Sequence, residues 1–346
     1  MHEHRTFWFD LCHPPHVAFF APQIKRLQEM GHTVLITVRD RFQVAELCDL
    51  SGLTYVKIGK DYGRAKWRKA MGIALRTCQL ADYMRGRNVD LAVSQGSTYQ
   101  VLAAKLLSIP STFMTDYEHI YLGIAKRLAD WLVFPEIIPE DVLRKKHISP
   151  GKIIRYPGLK ENVYLGHFRP QGDFLKNIGV DPGNIIITIR PPAVDAHYHN
   201  PVSEELLRLI FRRMKSEPGV TVIYLPRSAA STGPLMDSGM HVVIPEKTLK
   251  GLDLIYHSDM IISGGGTMNR EAAAMGVPVY SIFKGPVPAV DRYLEQTGRL
   301  HFIDSEEDIK RIRIQKRKPE MNLLNPDIDL ARFLVSRLLD MAGDSR

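Results

Sequence analysis

The feature that most limits the fold of this chain is a regular alternation of short apolar runs with amphipathic stretches of helical length. The alternation begins with a strand at Thr6–Leu11, a helix at Val17–Met30 that Gly31 closes, and a strand at His32–Val38. Short apolar runs of this kind are typical of buried strands. Strands separated by helices of this length favour a parallel sheet with helices on both faces. The sequence therefore predicts an α/β fold.

The alternation runs through the first half of the chain, pauses at the polar, Pro- and Gly-containing stretch Gly166–Asp173, and then restarts. Further strands are predicted at 54–58, 90–94, 111–115, 131–134, 152–156, 184–189, 220–225, 241–244, 260–263, 277–282 and 300–303, and further helices at 42–50, 65–84, 99–107, 120–129, 203–216, 249–257, 269–275 and 287–297. We therefore predict two Rossmann-like, doubly wound parallel-sheet domains at 1–167 and 168–326, and a terminal helix within 327–346 that could cross back to the first domain. Two such domains are expected to face a central cleft. Ligands of such sheets bind outside the carboxyl ends of the strands.

Composition excludes several classes of protein. Hydrophobic residues make up 45% of the chain and charged residues 24%, which is typical of a soluble globular protein. The opening residues Met1–Arg5 lack the pattern of a signal peptide, and no apolar run approaches the roughly 18–20 residues of a membrane span. Cys12, Cys48 and Cys78 are too few and too scattered for a disulfide framework or a zinc site. We expect a cytoplasmic protein.

The net charge of +8 is concentrated in one segment. Nine Lys and Arg residues fall between Lys57 and Arg87, against only Asp61 and Asp82. A basic amphipathic helix suits the surface of an anionic membrane, and a solvated charged face is the alternative. No recognised nucleic-acid fold accompanies the segment, so no nucleic-acid partner is expected. Residues 57–87 therefore predict a peripheral contact at the inner face of the cell membrane.

The stretch Met260–Pro278 combines an apolar strand, a turn of three glycines at 264–266 and a helix that Gly276 and Pro278 close. Free N–H groups and the helix dipole attract an anion there, and glycine lets the anion approach closely. Asn269 stands where a dinucleotide fingerprint has its third glycine, and no Gly-Lys-Ser/Thr ends the turn as in a P-loop. We predict a phosphate or diphosphate site, with Glu271 one turn into the helix beside sugar hydroxyls. An ordinary strand-to-helix turn is the alternative.

The loop after the first strand supplies a candidate base. His16 falls near the N-terminus of the next helix. That position disfavours the imidazolium ion, so a neutral histidine there can accept a proton. Helix capping or packing is the alternative role for His16, and His13, beside two prolines, is more readily a turn residue.

Two further strand ends of the first half carry polar groups. Gln95 and Ser97 follow the strand 90–94, where they could bind a ligand, although capping of the next helix by Ser97 is the simpler account. Asp116, Glu118 and His119 follow the strand 111–115. Two carboxylates beside a histidine can act as acid, base or sugar clamp, whereas Asp116 could instead cap a helix.

Arginines end two strands of the second half. The forked guanidinium groups of Arg190 and Arg227 suit a diphosphate, because each can bond two oxygens. His197 and His199 alternate along the chain, and no third ligand stands at a recognisable spacing, so no metal site is predicted. The acidic stretch Asp327–Asp329 superficially resembles a metal–nucleotide motif, but it precedes the terminal helix, where N-capping is expected.

Two stretches carry a family resemblance. WFDLCHPPHVAFFAPQIKRLQEMGHTVLITVRD, residues 8–40, resembles the opening strand, loop and helix of the two-domain B-type glycosyltransferase superfamily. SGGGTMNREAAAMGVPV, residues 263–279, resembles that superfamily's donor-nucleotide motif. Over its full length the chain is most similar to an uncharacterised domain-of-unknown-function family of predicted glycosyltransferases from archaea and bacteria. More distantly it resembles the peptidoglycan N-acetylglucosaminyltransferase and UDP-N-acetylglucosamine 2-epimerase.

The resemblance implies a metal-independent glycosyltransferase without a cofactor. Such an enzyme moves a sugar from a nucleotide-sugar donor, which we predict to be UDP-linked, to an unknown acceptor. A lipid-linked molecule is one candidate for the acceptor. It implies catalytic roles for His16, Asp116 and Glu118, an acceptor-binding first domain and a donor-binding second domain. The residues predicted to contact substrate are His13, Gln95, Ser97, His119, Arg190, His197, Arg227, Gly264, Gly265, Gly266, Thr267, Asn269 and Glu271.

The chain also departs from its distant relatives. His13-Pro14-Pro15 stands where the transferase has a glycine-rich loop, and prolines remove N–H donors for an anion. The acids of the epimerase are not matched in a recognisable motif, although Asp116, Glu118 and His197 occupy comparable regions. The alternatives to transfer are a 2-epimerase-like enzyme, a nucleotide-sugar hydrolase and a non-catalytic nucleotide-sugar-binding protein.

Overall fold

The structure, a computed structural model, describes residues 3–40, 43–60, 66–192, 200–227, 240–247 and 249–344. The chain divides into two compact units. Unit 1 comprises Met1–Tyr164 together with Asp327–Arg346, and unit 2 comprises Leu165–Pro326.

Unit 1 is a parallel sheet with helices connecting its strands. Its strands are β1 (Thr6–Leu11), β2 (Thr33–Asp40), β3 (Val56–Lys60), β4 (Leu91–Gln95), β5 (Ser111–Met114), β6 (Trp131–Pro135) and β7 (Ile153–Tyr156). Its helices are α1 (Pro14–Glu29), α2 (Val44–Leu50), α3 (Lys66–Met84), α4 (Thr98–Leu106), α5 (Ala125–Leu128) and α6 (Glu140–Arg144), and α7 (Asn162–Leu165) ends at the boundary with unit 2.

The strand order of this sheet places a ligand-binding position between β1 and β4. The order is β3-β2-β1-β4-β5-β6-β7, and every pairing is parallel. The chain moves outward in one direction from β1 and in the other from β4. The loops that leave these two neighbouring strands therefore diverge, and such a switch point, at the carboxyl ends of the strands, is where open α/β sheets bind ligands.

Unit 2 repeats this design with six parallel strands. Its strands are β8 (Ile185–Arg190), β9 (Val220–Tyr224), β10 (His241–Val243), β11 (Met260–Ser263), β12 (Val279–Ser281) and β13 (His301–Phe302). Its helices are α8 (Phe174–Asn177), α9 (Val202–Lys215), α10 (Gly251–His257), α11 (Thr267–Met275), α12 (Ala289–Gln296) and α13 (Glu306–Lys310). The order β10-β9-β8-β11-β12-β13 puts the switch point between β8 and β11. The prediction of two parallel-sheet α/β domains is confirmed.

The terminal helix α14 (Leu330–Asp344) belongs to unit 1. Its apolar face, with Leu330, Leu334 and Leu338, is buried, and it packs against α1. The carboxylate of Asp329 accepts a hydrogen bond from the backbone N–H of Arg332 at 2.9 Å, which satisfies a donor in the first turn. The predicted N-capping role of this acidic stretch is confirmed for Asp329.

One predicted element is largely absent. The helix expected at Ile120–Ala129 is helical only at Ala125–Leu128. Gly123 lowers the helix propensity of the first half of the segment. The Tyr121 side chain is 83% exposed, so it adds no packing against the core that would stabilise a helical turn. The segment instead follows β5 as a series of turns, which keeps the polar residues after that strand in a loop.

Among the described residues, none of the helices combines the length and the apolar character needed to cross a bilayer.

Candidate functional site

A buried ion pair fixes the carboxyl end of β1. Arg76, from α3, donates two parallel hydrogen bonds to the Asp10 carboxylate, at 2.9 Å and 2.7 Å, and neither side chain is exposed to solvent. The hydroxyls of Ser97 and Thr37 donate to the same carboxylate at 2.5 Å and 2.8 Å. Burial alone raises the pKa of Asp10, but Arg76, Ser97 and Thr37 together hold that pKa below its ordinary value. Asp10 is therefore ionised and joins β1, β2, α3 and the start of α4.

The thiol of Cys12 is part of the same cluster. Its sulfur donates to an Asp10 oxygen at 3.2 Å. Burial, reinforced by the charge of Asp10, raises the pKa of Cys12 to about 12. The thiol is therefore neutral at physiological pH, and Cys12 serves as a small donor rather than a nucleophile.

His16 lies in the first turn of α1 and is only 6% exposed. Burial, together with the nearby positive charges of His13 and Lys160, lowers the pKa of His16 to about 3. The backbone N–H of Cys12 donates to Nδ1 of His16 at 3.2 Å. A neutral imidazole that accepts at Nδ1 carries its proton on Nε2, so the remaining nitrogen is a hydrogen-bond donor. The base role of His16 stays a prediction, and this tautomer favours donation.

Lys160 brings a buried cation to the end of β5. Its Nζ lies 2.8 Å from a carboxylate oxygen of Asp116 and 3.9 Å from one of Glu161. The side-chain amide of Gln95 donates to the other Asp116 oxygen at 3.1 Å. Asp116 thus does not need to cap a helix, because two polar groups from other strand ends orient its carboxylate.

Glu118 and His119 continue the polar loop after β5. Glu118 is buried, whereas the His119 side chain is 38% exposed, and their nearest oxygen and nitrogen atoms are 3.6 Å apart. The rings of Tyr117 and His119 meet edge to face at 5.4 Å. The loop therefore places a buried carboxylate beside a more exposed imidazole, two groups of the kind that take part in acid–base chemistry.

Ser97 has a structural role in addition to its predicted one. Its hydroxyl caps α4 by accepting from the backbone N–H of Gln100 at 3.3 Å, as expected from the sequence, while it donates to Asp10. His13 precedes α1 and is exposed, and its ring lies 5.2 Å from that of His16. Whether Ser97, Gln95 and His13 contact a substrate stays a prediction.

The glycine turn of unit 2 follows β11 and leads into α11. A side chain at Gly264 would place Cβ 2.5 Å from the backbone Cα of Pro192, so this glycine permits close contact with the loop after β8. Gly265 and Gly266 have φ angles of +92° and +98°, which other residues rarely adopt. The space around Gly266 is open, because a Cβ at this position would meet no described atom within 4 Å apart from its chain neighbours. Of the three glycines, Gly266 therefore gives a ligand the easiest approach.

The N-terminus of α11 presents donors that nothing in the described part of the protein uses. The N–H groups of Gly266, Thr267 and Met268 donate no hydrogen bond to any residue in the described ranges. Asn269 is fully buried, and neither its amide nitrogen nor its amide oxygen has a hydrogen-bond partner in the same part of the chain. Buried polar atoms are costly without partners, so this arrangement indicates a position for a polar ligand.

Two charged side chains accompany these donors. Burial lowers the pKa of Arg190, at the end of β8, and the carboxylate of Glu271 opposes that effect. This opposition places the guanidinium of Arg190 within electrostatic reach of Glu271 in the second turn of α11. The sequence-predicted group of Arg190, Glu271 and Asn269 thus comes together around the glycine turn.

The remaining predicted residues of unit 2 differ from this group. Arg227 donates its Nε–H to the backbone carbonyl of Pro191 at 2.8 Å, which ties the loops after β8 and β9 together. His197 lies outside the described residues. Within those residues no group of three or more His, Cys, Asp or Glu side chains is placed to hold a metal ion.

Residues 5–343 match the family described as protein of unknown function DUF354. The chain belongs to this family. The uncharacterised protein MJ0665 of Methanocaldococcus jannaschii is 27% identical over 329 residues, which are 92% of this chain and 94% of that protein. The family resemblance seen in the sequence is confirmed.

Solved structures with similar folds include two kinds of sugar-nucleotide enzyme. UDP-GlcNAc 2-epimerase from Neisseria meningitidis, bound to UDP-GlcNAc, has a TM-score of 0.74 at 15% identity and covers 97% of this chain and 100% of its own. UDP-GlcNAc 2-epimerase from Methanocaldococcus jannaschii has a TM-score of 0.70 at 14% identity, covering 96% and 99%. The spinosyn rhamnosyltransferase SpnG has a TM-score of 0.57 at 15% identity, covering 99% and 96%. At these identities the similarity concerns the fold alone: this DUF354 member shares with these enzymes a fold of two parallel-sheet α/β domains.

Sequence reasoning missed Asp10, Arg76 and Lys160. Arg76 was counted within the basic segment, yet it lies on the same face of α3 as the buried Leu80, four residues later. A cation at helical spacing within an apolar face is a signal of a buried partner. Asp10, a carboxylate at the end of an apolar strand, is the matching signal. Nothing in the local sequence around Lys160 indicates its contact with Asp116.

Proposed function

We propose that this protein binds a nucleotide sugar, for which a UDP-linked sugar is the first candidate. It breaks the bond between the anomeric carbon and the diphosphate and transfers the sugar to an acceptor hydroxyl. The observation that carries the proposal is a set of hydrogen-bonding groups at the N-terminus of α11 that have no partner among the described residues. They are the backbone N–H groups beside Gly266 and the buried side-chain amide of Asn269. An anion accepts hydrogen bonds from such donors and is favoured by the helix dipole.

The groups of unit 2 suit a nucleoside diphosphate better than a simple ion. The N–H groups of the first turn and the guanidinium of Arg190 would stabilise the negative charge that develops on the diphosphate as it departs. Glu271 lies farther along α11, where its carboxylate could accept hydrogen bonds from ribose hydroxyls. In the proposed reaction these protein groups would supply the charge stabilisation of the departing diphosphate.

For proton transfer we propose groups that belong to unit 1. In the proposed reaction a hydroxyl oxygen of the acceptor bonds to the anomeric carbon, the bond from that carbon to the diphosphate oxygen breaks, and the diphosphate takes the electron pair. A carboxylate accepts the hydroxyl proton. Glu118 is the candidate for this role, because its buried carboxylate lies 3.6 Å from the more exposed imidazole of His119. His16, with its proton on Nε2, would donate a hydrogen bond to substrate.

Epimerisation or hydrolysis of the nucleotide sugar is the second candidate. Its support is the closer structural similarity to epimerases, with TM-scores of 0.74 and 0.70 against 0.57 for the rhamnosyltransferase. Cleavage of the anomeric bond is common to all three reactions. They differ in the step after this cleavage: attack by an acceptor, loss of a proton from C2 of the sugar, or attack by water.

Donor binding is tested by calorimetric titration with UDP, GDP, ADP and dTDP and their sugars. We expect Asn269→Ala and Glu271→Ala each to weaken binding of the preferred nucleotide by roughly tenfold or more, because each removes a hydrogen-bonding group from a largely desolvated site. Glu295→Ala is the matched control, because Glu295 is an exposed carboxylate on α12. Equal affinities in all three variants would place the donor elsewhere.

Turnover separates the candidate reactions. The protein is incubated with UDP-N-acetylglucosamine, with and without a lipid extract that contains acceptors. Transfer predicts UDP release that depends on the extract. Release of an epimer or of free sugar without acceptor, abolished in Glu118→Gln, would refute transfer and support the second candidate. Binding without turnover under any condition would indicate a non-catalytic nucleotide-sugar-binding protein.

A further inference from the structure

A cavity of about 650 Å³ opens at the amino ends of the strands of unit 2, on the edge of the sheet opposite the glycine turn. Asp259, Pro278 and His301, which stand immediately before or at the start of β11, β12 and β13, lie in its wall. The four residues of β11 separate this edge from Gly264, a distance of roughly 13 Å along the strand. The cavity is therefore distinct from the proposed donor site.

A basic segment, Arg311–Arg317, begins at the C-cap of α13 and forms one wall of the cavity. Its side chains alternate: Ile312 is buried in the core of unit 2 and Ile314 packs against that core, while Arg311, Arg313, Gln315 and Arg317 line the cavity. This period of two is the geometry of an extended chain with one apolar and one polar face. The segment thus presents three arginines to one space.

The wall is held in place before any ligand binds. The backbone N–H of Arg313 donates to the hydroxyl of Tyr280 at 3.3 Å, and that of Arg317 donates to Asp259 at 2.6 Å. The Arg317 guanidinium donates to the carbonyl oxygens of Tyr256 and Ser258, at 2.5 Å and 3.1 Å. Neutral carbonyl groups therefore fix its charge at the cavity wall.

The carboxylates in the wall are already engaged. Asp259 accepts from two backbone N–H groups and pairs with Lys316 at 3.1 Å. Ser305 caps α13, and Asp308 completes the capping box by accepting from the backbone N–H of Ser305, while Arg311 approaches Asp308 only to 3.6 Å. The guanidinium of Arg313 has neither an ion pair nor a hydrogen bond within the described residues. The cavity therefore has an uncompensated positive charge.

We infer that this cavity is a second binding site, for a small phosphorylated molecule of about nucleotide size. The forks of Arg311 and Arg313 would bond the phosphate, because two guanidinium N–H groups match two phosphate oxygens. The rings of Tyr280 and His301, tilted by 30° with centroids 5.4 Å apart, form a flat wall for the rest of the ligand. The volume falls within the roughly 300–1,000 Å³ of small-molecule sites.

The test uses the full-length protein with four separate probes: AMP, UMP, glucose 1-phosphate and inorganic phosphate. Calorimetry gives affinities, and hydrogen exchange read by mass spectrometry locates the bound probe. We expect at least one probe to protect the backbone of residues 301–317, in the wild type and in Asn269→Ala alike. A preference for nucleotides over the sugar phosphate, or the reverse, identifies the source of the phosphate group.

Arg313→Gln is expected to weaken that binding at least roughly tenfold, because it removes a charged fork. Arg212→Gln is the matched control, since Arg212 is an exposed arginine of α9 and the charge change is the same. Both arginines are exposed, so unchanged thermal midpoints without ligand are expected to show that both variants fold. No protection of 301–317 by any probe at millimolar concentration, or equal losses in the two variants, overturns the proposal.

Discussion

Removal of the cation from the buried Asp10–Arg76 pair is expected to destabilise unit 1 severely. Arg76→Met keeps an unbranched apolar chain where the aliphatic part of Arg76 lies against Gly59, but it leaves the Asp10 carboxylate buried without its charged partner. Breaking one side of a buried ion pair costs about 3–5 kcal/mol. In a unit of this size each kcal/mol of lost stability lowers the thermal unfolding midpoint by about 2–4 °C, so we expect a thermal midpoint lower by roughly 6–20 °C.

The effect should depend on pH in a definite direction. In the wild type the folded pKa of Asp10 lies below its unfolded value near 3.9, so its ionised form contributes stability at neutral pH that is lost as the pH falls through the folded pKa. In Arg76→Met, burial without a cation raises that pKa. The variant's loss of unfolding free energy relative to the wild type is therefore largest at pH 7. It becomes smaller toward pH 4, because Asp10 takes up a proton.

Urea unfolding followed by tryptophan fluorescence is the assay, because Trp8, Trp67 and Trp131 all belong to unit 1 and Trp8 donates to Thr37 within the Asp10 cluster. Asp10→Asn combined with Arg76→Met should recover much of the loss, since it removes the uncompensated charge.

Arg144→Met is the control, because its partner Glu140 and Arg144 itself are largely exposed, and no measurable change is expected. A free energy of unfolding for Arg76→Met equal to that of the control, or a loss of stability that stays constant from pH 7 to pH 4, would refute the reasoning.

Two further predictions concern unit 1. Because the folded pKa of His16 is about 3, against about 6.5 unfolded, the unfolded chain binds the extra proton and the wild type loses stability as the pH falls below 6.5. Urea unfolding at pH 6.5 and 5 should show a loss up to about 2 kcal/mol larger in the wild type than in His16→Gln, and equal losses would contradict the neutral imidazole. In the basic segment, Met71 and Leu75 are 49% and 44% exposed on one face of α3, which supports the proposed contact with an anionic membrane. Flotation with phosphatidylserine vesicles should fall in Met71→Gln/Leu75→Gln but not in Leu106→Gln, an equally apolar exposed site on α4, and equal behaviour would rule out docking through α3.

The architecture was predictable because it follows from local patterns. The strand at Thr6–Leu11 and the helix that ends before Gly31 are specified by apolar periodicity and a helix-terminating glycine, which operate over a few residues. The exception, the predicted helix at Ile120–Ala129, shows the limit of such patterns. Its residues favour a helix only in part, and the sequence does not reveal that the Tyr121 side chain points away from the core.

The partners of the charged groups were not predictable in the same way. Asp10 and Arg76 are separated by 66 residues and Asp116 and Lys160 by 44, and each contact is created by the order of strands in the sheet. The sequence located the strand ends and the residue types there, such as Asp116. It could not say which cation would reach them, because that depends on the three-dimensional path of α3 and of the chain after β7.

The basic segment 57–87 illustrates both sides. Its excess charge was evident from composition, but its most important cation, Arg76, is inside the protein rather than on a charged surface. The second basic run, Arg311–Arg317, was hidden because its apolar residues alternate with its cations over too short a length to stand out. The sequence therefore shows where charged residues lie along the chain, but not whether each one is buried or exposed in the fold.

Because α14 belongs to unit 1 and packs against α1, that unit cannot be completed until this helix has been synthesised. Unit 2 comes from one uninterrupted segment, so it can fold on the ribosome while the surface of α1 that receives α14 is still uncovered. A chain shortened at Pro326 would retain the segment for unit 2 but expose apolar surface on unit 1, which invites aggregation. Unit 2 is thus expected to finish folding before unit 1, although the synthesis of unit 1 starts first.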